Sequence, residues 1–167
     1  MALPLRGGWL NFSAMAHVPV PGLRSCYAKV GRLVYFGRML DKIRLQAAGK
    51  LPADYQPNYS RGFDAVCCRF LRVKHEALAA HAAHGGTDDE ILMWCTDQGG
   101  ARTSEECEIW NNFMMKRGWR DSSSKPLAER IVSLGLTGRT IETLFDLIEN
   151  DEGRDPAATQ PWLTESP

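Results

Sequence analysis

The stretch that most constrains this chain is RMLDKIR, where charged and large apolar side chains are interleaved from Arg38 to Arg44. Side chains three and four positions apart share a helix face, so Arg38, Asp41 and Lys42 stand together. A second side of the same helix is apolar and consists of Leu40, Ile43 and Ala47. The pattern predicts an amphipathic helix whose charged face either holds an anion or contains an internal ion pair, the commoner arrangement.

Size and composition predict one domain with one core, since the chain has 167 residues of which 44% are hydrophobic. No run approaches the roughly 18 apolar residues of a membrane-spanning helix, and the first residues lack the apolar block of a signal peptide. No two cysteines have CxxC spacing, which favours reduced thiols in the cytosol. The five cysteines are Cys26, Cys67, Cys68, Cys95 and Cys107. We expect a cytoplasmic protein without membrane attachment.

Charge is unevenly distributed along the chain. From Arg24 to Lys74 there are 11 Lys and Arg against 3 acidic residues, whereas from His75 onward there are 8 against 17. This asymmetry indicates either a basic surface for an anionic partner or two halves that attract each other within one fold, and we favour the second. Because the whole chain is neutral and its second half is acidic, no nucleic-acid partner is expected.

Proline and glycine define the limits of the domain. They predict an extended arm over residues 1–22, in which Met15 leaves open a natural start that would make residues 1–14 an extension. Three prolines after Gly153 predict a disordered tail over residues 154–167. The domain itself is therefore expected over residues 23–153.

Helix start and stop signals recur along this domain. Apolar spacing predicts a first helix from Ser25, with Gly37 as the break before the helix of Arg38. Asp64 is placed to cap a helix after a long connection from Lys50 that covers either the core, the favoured interpretation, or a pocket. Later start signals are Thr87 with Glu90, Thr103 with Glu106, Ser124 with Pro126, and Thr140. The sequence predicts an all-α protein: a single compact bundle of about seven helices with flexible termini.

Two helices late in the chain have apolar stripes that predict their buried faces. In the helix that follows Thr103 the stripe is Ile109, Trp110, Phe113 and Met114. In the last helix it is Ile141, Leu144, Phe145 and Ile148. The acidic residues of that last helix, from Asp146 to Glu152, predict a solvated face, with a divalent-cation site as the alternative.

Five strings in the chain resemble a family of small bacterial proteins known as domain of unknown function 5069, namely GRLVYFGRMLDKIRL, GFDAVCCRFL, GGTDDEILMWC, SEECEIWNNFMMKRGWRD and DLIENDEGR. The resemblance covers Val20 to Arg154. It implies a single all-helical unit in the bacterial cytoplasm, and it implies no activity, ligand or catalytic residue. The chain departs from the family pattern at Cys26 and Gly37, where proline is common.

The charged face of RMLDKIR is the main candidate ligand site. Arg38 and Lys42 together could hold a phosphate or carboxylate while Asp41 orients them. Three further side chains could join this set: Arg44, Arg69 and Tyr35. The favoured alternative is that Asp41 neutralises its arginine neighbours and that acids near Asp146 pair with the remaining cations. We predict that Asp41→Asn destabilises the fold markedly and Lys42→Met little, which would make Asp41 structural and leave Lys42 free for a ligand.

Thiols and imidazoles give weaker candidates. Cys67 or Cys68 could be a nucleophile beside Arg69, but buried, inert cysteines are favoured. The histidines could share a metal ion, but surface positions are favoured for His75, His81 and His84. We therefore expect neither a metal nor another cofactor.

A last group of residues mixes aromatic and planar polar side chains, as binding surfaces do: Trp110, Asn111, Arg117, Trp119, Arg120 and Asp121. The two tryptophans are more typical of a core. The chain lacks a P-loop, GxGxxG, GxSxG or HExxH motif, and no nucleophile and base are legible. We therefore expect a noncatalytic binding or interaction module for a protein partner or a second copy of the chain. The alternative is an enzyme or sensor for a small anionic metabolite.

Overall fold

The computed structural model describes residues 19–160. The first regular elements are two strands, β1 (Lys29–Val30) and β2 (Leu33–Val34), which form a short antiparallel hairpin. The helices that follow are α1 (Phe36–Ala47), a 3₁₀ helix (Ala53–Asn58), α2 (Phe63–Leu71), α3 (His75–Ala83), α4 (Asp88–Gly99), α5 (Ser104–Lys116), α6 (Ser124–Ser133), α7 (Leu144–Asp151) and α8 (Pro156–Thr159). The predicted all-α class is confirmed, because the hairpin is the only sheet in this part of the chain. None of its helices is long and apolar enough to cross a bilayer.

The hairpin replaces the helix predicted from Ser25, so that prediction is wrong. Gly31 has φ of 54° at the first position of the two-residue turn, a conformation that tight hairpins require there. A Cβ at Gly31 would lie 2.9 Å from Leu92 Cδ2, so α4 packs closely against the turn. The turn and its packing therefore override the helical spacing of the apolar residues.

Side chains of α5 close the outer edge of β2. The Asn111 side chain accepts a hydrogen bond from the backbone N–H of Val34 at 3.1 Å and donates one to the carbonyl of Arg32 at 2.8 Å. The indole N–H of Trp110 donates to the carbonyl of Val34 at 3.3 Å. Trp110 is buried, as predicted, and stacks on Phe70 with ring centroids 4.6 Å apart. Polar side chains of a helix thus satisfy the backbone of a strand.

Helix α1 runs through the centre of the domain, since every residue from Phe36 to Ile43 is buried. Gly37 does not break the chain, as the sequence suggested, but lies in the first turn of α1. An added Cβ at Gly37 would lie 2.5 Å from Arg24 Nη1 and 2.8 Å from Val30 Cγ2. Three charged residues of α1, Arg38, Asp41 and Lys42, are therefore enclosed by the fold instead of forming a solvated face.

Helix α7 is a second central helix. Phe145 lies at its core, with ring centroids 5.2 Å from Tyr27, 5.5 Å from Phe63 and 5.8 Å from Tyr35. Thr143 begins α7 through a capping box with Asp146, so the start predicted at Thr140 is three residues early. The predicted solvated acidic face is also wrong, because the fold buries Asp146, Glu149, Asp151 and Glu152.

The capping boxes predicted at Thr87 and Thr103 are confirmed by the starts of α4 and α5. Two other local predictions fail. Gly62, not Asp64, precedes α2 as its cap, and the Asp64 side chain points into the core instead. On α5 the buried positions are Cys107, Trp110 and Met114, which leaves Ile109 62% and Phe113 44% exposed.

The ends of the domain are only partly described. Residues 1–18 of the predicted arm and residues 161–167 of the predicted tail lie outside the described residues. Within the predicted tail, Arg154 forms ion pairs with Glu149 and Glu152, and α8 follows. The folded unit therefore continues past the boundary predicted at residue 153.

Substitution of Gly37 tests the close approach of Arg24 to α1. Alanine has the better helix propensity by about 1 kcal/mol, but its Cβ would displace Arg24 and Val30. Overpacking of this kind costs on the order of 1–3 kcal/mol, so Gly37→Ala should lower the free energy of unfolding in urea. Ala47→Gly, at the exposed end of α1, measures the propensity effect alone. A Gly37→Ala protein as stable as the wild type would contradict the close packing.

Candidate functional site

The first of two candidate sites is a buried ion network between α1 and the end of α7. Arg38, which is 3% exposed, donates hydrogen bonds to both carboxylate oxygens of Glu152, and Nη1 lies 3.0 Å from Oε2. Arg154 pairs with Glu152 and places its Nε 2.8 Å from Glu149 Oε2. Glu149 Oε1 accepts the backbone N–H of Cys26 at 2.8 Å. These charges form one hydrogen-bonded group that joins three segments of the chain.

Lys42, 4% exposed, forms a separate buried ion pair with Asp64. The Tyr35 hydroxyl donates to Asp64 Oδ1 at 2.9 Å and accepts from Lys42 Nζ at 3.0 Å. The backbone N–H of Ser60 donates to Asp64 Oδ2 at 3.1 Å. Burial lowers the pKa of Lys42 against the attraction of Asp64, and burial raises the pKa of Tyr35. The phenol therefore stays neutral, and Asp64 is the counter-ion of Lys42.

Asp41 and Arg44 pair with other residues, away from Lys42 and Asp64. Both oxygens of Asp41 accept from Arg24, with Nε 2.7 Å from Oδ2 and Nη2 2.6 Å from Oδ1. Arg24 and Arg44 each place an Nη1 atom 2.6 Å from an oxygen of Asp88. Burial opposes ionisation of Asp88, but the hydrogen bonds from the two guanidinium groups hold its pKa below the usual value. Arg69 is exposed on α2.

The structure thus brings together only three of the six residues predicted to hold an anion: Tyr35, Arg38 and Lys42. The cavity that they line measures about 30 Å³ and is covered by Tyr55 of the 3₁₀ helix, whose hydroxyl donates to Glu152 at 2.8 Å. That volume is on the scale of one water molecule. Since both cations are paired and the space is small, the geometry favours an internal ion network over an anion site.

These pairs also bear on the uneven charge of the chain. Arg38 and Arg44, from the basic first half, pair with Glu152 and Asp88 from the acidic second half. This favours the interpretation that the two halves attract each other within one fold.

The five cysteines are free and buried. Burial raises the pKa of Cys26, Cys68 and Cys95 to about 12, so these thiols are protonated at neutral pH. Cys68 Sγ lies 3.9 Å from Met39 Sδ. A protonated, enclosed thiol is a poor nucleophile, which favours the interpretation of Cys67 and Cys68 as small core residues.

The histidines have separate surroundings. His81 stacks on Trp94 with ring centroids 4.5 Å apart, and His84 is exposed with Nδ1 2.8 Å from the carbonyl of Ala80. His75 is buried, so its predicted surface position is wrong. Across residues 19–160, no group of three or more His, Cys, Asp or Glu side chains is arranged to hold a metal ion.

The second candidate site is an open cleft between α5, α7 and the end of α8. Its volume is about 490 Å³, within the range of ligand-binding pockets. The lining residues are Asn112, Met115, Lys116, Trp119, Glu142, Thr143, Asp146 and Gln160. Met115 and Trp119 are its large apolar lining residues and the other six are polar, so the cleft is suited to an apolar group with a few polar contacts.

Asp146 forms a fixed polar point in this cleft. Its Oδ2 accepts the backbone N–H groups of Glu142 at 3.1 Å and Thr143 at 3.0 Å. Its Oδ1 accepts the Tyr27 hydroxyl at 2.7 Å and the Gln160 amide at 3.1 Å. Burial raises the pKa of Tyr27, and the bond to Asp146 raises it further, so the phenol remains a donor. These hydrogen bonds hold the carboxylate in one orientation.

Trp119 is 45% exposed at the edge of the cleft, so the prediction that it lies in the core is wrong. The turn that carries Trp119 is fixed from both sides. Asp121 Oδ2 accepts hydrogen bonds from Arg117 Nη1 at 2.7 Å and from the backbone N–H of Gly118 at 3.1 Å. Gly118 has φ of 102° and packs so closely that a Cβ would lie 3.1 Å from the backbone nitrogen of Leu144. The turn therefore presents the indole outward.

A groove of about 520 Å³ adjoins the cleft at Asn112 and Met115, which line both. Its other lining residues are Lys29, Gly31, Arg32, Ser104, Cys107, Glu108 and Asn111. The sequence pointed to Trp119 and Asn111 as parts of a binding surface, but not to Asn112, Met115 or Gln160. Gln160 gave no signal because it falls in the predicted disordered tail.

The fold and these sites define a small all-helical domain with a buried ion network and an open surface cleft. The chain belongs to the family described as Domain of unknown function (DUF5069), whose profile matches residues 20–154. That match includes the ion network and most of the cleft, whereas Gln160 lies beyond it. A search of curated proteins finds no match.

Replacement of Lys42 by methionine tests whether this cation is structural. The sequence alone predicted little effect, but the change leaves the buried carboxylate of Asp64 without its counter-ion, so the free energy of unfolding in urea should fall by about 3–5 kcal/mol. The double variant Lys42→Met with Asp64→Asn should be less destabilised than the single variant, because no uncompensated charge remains.

Arg44→Met is the matched control, since it removes a cation from the same helix at a more exposed ion pair. We expect a loss of no more than about 1 kcal/mol for this variant. A Lys42→Met protein as stable as the wild type would instead mean that Lys42 is free for a ligand.

Acid should destabilise the fold partly through His75. Burial lowers the pKa of His75, an effect that Lys42 reinforces and that the charges of Asp64 and Glu76 oppose. The unfolded chain, with an ordinary histidine pKa of about 6.5, then binds a proton that the folded chain resists. The contribution of neutral His75 is therefore complete above about pH 6.5 and is lost as the pH falls towards the lowered pKa.

The free energy of unfolding of His75→Phe, measured in urea, should consequently fall less than that of the wild type when the pH is lowered from 7.5 to 5. His84→Phe, which changes an exposed histidine, should keep the wild-type pH dependence. Identical pH slopes for His75→Phe and the wild type would rule out this contribution.

Proposed function

We propose that the protein is a noncatalytic binding module whose cleft between α5, α7 and α8 receives an apolar side chain of a protein partner. The observation that carries the proposal is the half-exposed Trp119 beside a cleft of ligand-pocket size that contains a preoriented carboxylate, Asp146. Exposed tryptophans beside such pockets are frequent anchors of protein interfaces, because they contribute a large contact area with few rotatable bonds.

Helix α5 also exposes large apolar side chains that do not line the cleft. Ile109 and Phe113 are one turn apart on one face of the helix, and Trp119 follows its end. Single exposed apolar residues are common in soluble proteins, whereas three large ones on one helix and the turn after it are candidates for contact with a partner. Arg117 and Arg120 lie over the rings of Phe113 and Trp119 at 5.7 Å and 4.8 Å. Arginine and aromatic side chains are enriched in interfaces.

The other residues considered in the sequence support a binding role over catalysis. Arg38 and Lys42 are paired with carboxylates in a water-sized cavity, and the thiols of Cys26, Cys68 and Cys95 are protonated at neutral pH. A metabolite sensor at Arg38 and Lys42 would first have to break these pairs. The five free cysteines support a reducing compartment, and we propose the bacterial cytoplasm as the location of the protein.

Nuclear magnetic resonance distinguishes the binding module from a sensor of small anionic metabolites. The indole N–H signal of Trp119, assigned with Trp119→Phe, should shift on titration with N-acetyltryptophanamide or N-acetylleucinamide as mimics of an apolar side chain. The indole signal of buried Trp110 should stay in place. Inorganic phosphate and citrate, as probes for the anion site, should leave the protein unchanged.

Met115→Asp places a charge in the cleft and should abolish the Trp119 shift. Val132→Asp changes an exposed apolar residue outside the cleft and should preserve it. A response to phosphate or citrate that Lys42→Met removes, with no response of Trp119 to the apolar probes, would favour the metabolite sensor instead.

A further inference from the structure

The cleft and the adjoining groove form one continuous track along α5, because Asn112 and Met115 line both. The helix beneath this track has 13 residues, so it is about 20 Å long at 1.5 Å per residue. An extended peptide of about six residues, at roughly 3.3 Å per residue, covers that length. The track therefore has the dimensions of a short segment of another protein.

The two ends of the track carry opposite net charge. The lining of the cleft contains the carboxylates of Glu142 and Asp146 and one cation, Lys116. The lining of the groove contains two cations, Lys29 and Arg32, and one carboxylate, Glu108. Arg32 and Glu142 are both exposed, so each can meet an oppositely charged side chain of a bound segment. A partner with the same charge at both ends would be repelled at one of them.

We infer that this track binds an extended peptide segment in which a bulky apolar residue lies between a basic and an acidic residue. The apolar residue occupies the cleft beside Trp119 and Met115, the basic residue lies near Glu142, and the acidic residue lies near Arg32. This inference rests on the proposed function, since it uses the same cleft. It adds the charge pattern of the bound segment and the direction in which the segment lies along the track.

Three fluorescent peptides test this charge pattern by fluorescence anisotropy at low salt. Their sequences are KGWLGE, KGWLGK and EGWLGE, and a fourth peptide, KGAAGE, lacks the apolar anchor. KGWLGE should bind about fivefold more tightly than either peptide with like charges at both ends, a difference that disappears at high salt. KGAAGE should show no binding.

Charge reversal in the protein provides the decisive test. Arg32→Glu makes both ends of the track acidic and should shift the preference to KGWLGK. Glu142→Lys makes both ends basic and should shift it to EGWLGE. Both side chains are exposed, and thermal melting verifies that the variants are folded.

The outcomes are distinct for the two proposals. Equal affinity for the three anchored peptides, or preferences that the reversals leave unchanged, would overturn the charge pattern while leaving the cleft as an apolar binding site. Binding of KGAAGE as tight as that of KGWLGE would overturn the role of the anchor. Absence of binding by every peptide would overturn the inference, while the response of Trp119 to the single-residue probes judges the proposed function separately.

Discussion

The buried ion network of Arg38, Glu152, Arg154 and Glu149 is the interaction on which the arrangement of this domain depends. Removing such charges from water costs several kcal/mol for each ion, and only close, multiple hydrogen bonds offset that cost. The two-point contact of Arg38 with Glu152 has such geometry, and it permits little sliding of α7 along α1. Apolar packing alone would tolerate more positions of α7 relative to α1. We therefore expect the network to contribute to the specificity of the fold more than to its stability.

Helix α7 connects this network to the candidate binding cleft. It has eight residues and is about 12 Å long, with Glu149 and Glu152 near one end and Thr143 with Asp146 at the other. Whatever fixes the C-terminal end of so short a helix also fixes its N-terminal end. The position of Asp146 at the cleft therefore depends on ion pairs that lie outside it, while its own hydrogen bonds orient the carboxylate. The charges of the ion network and the residues that line the cleft are thus at opposite ends of one helix.

The sequence predicted the features that depend on neighbouring residues. The capping boxes at Thr87 and Thr103 were found because each is completed within one helical turn. The roles of Asp64 and Glu152 were missed because their partners, Lys42 and Arg38, are distant in the sequence. One available signal was overlooked: apolar residues cover more than one side of α7, which is typical of a buried helix whose acidic residues require partners. The cleft was largely beyond prediction, since it joins α5 and α7 with the end of α8, a helix in the predicted disordered tail.

The contacts of Asn111 and Trp110 with β2 have a consequence for the behaviour of the protein at high concentration. An isolated two-stranded hairpin exposes backbone donors and acceptors that can recruit a strand from another molecule and seed a growing intermolecular sheet. Here two side chains of α5 bind the outward N–H and C=O of Val34 in place of a third strand. That edge of the hairpin is therefore capped against fibril-like association, and a minimal sheet can persist in a helical domain without becoming a template for aggregation.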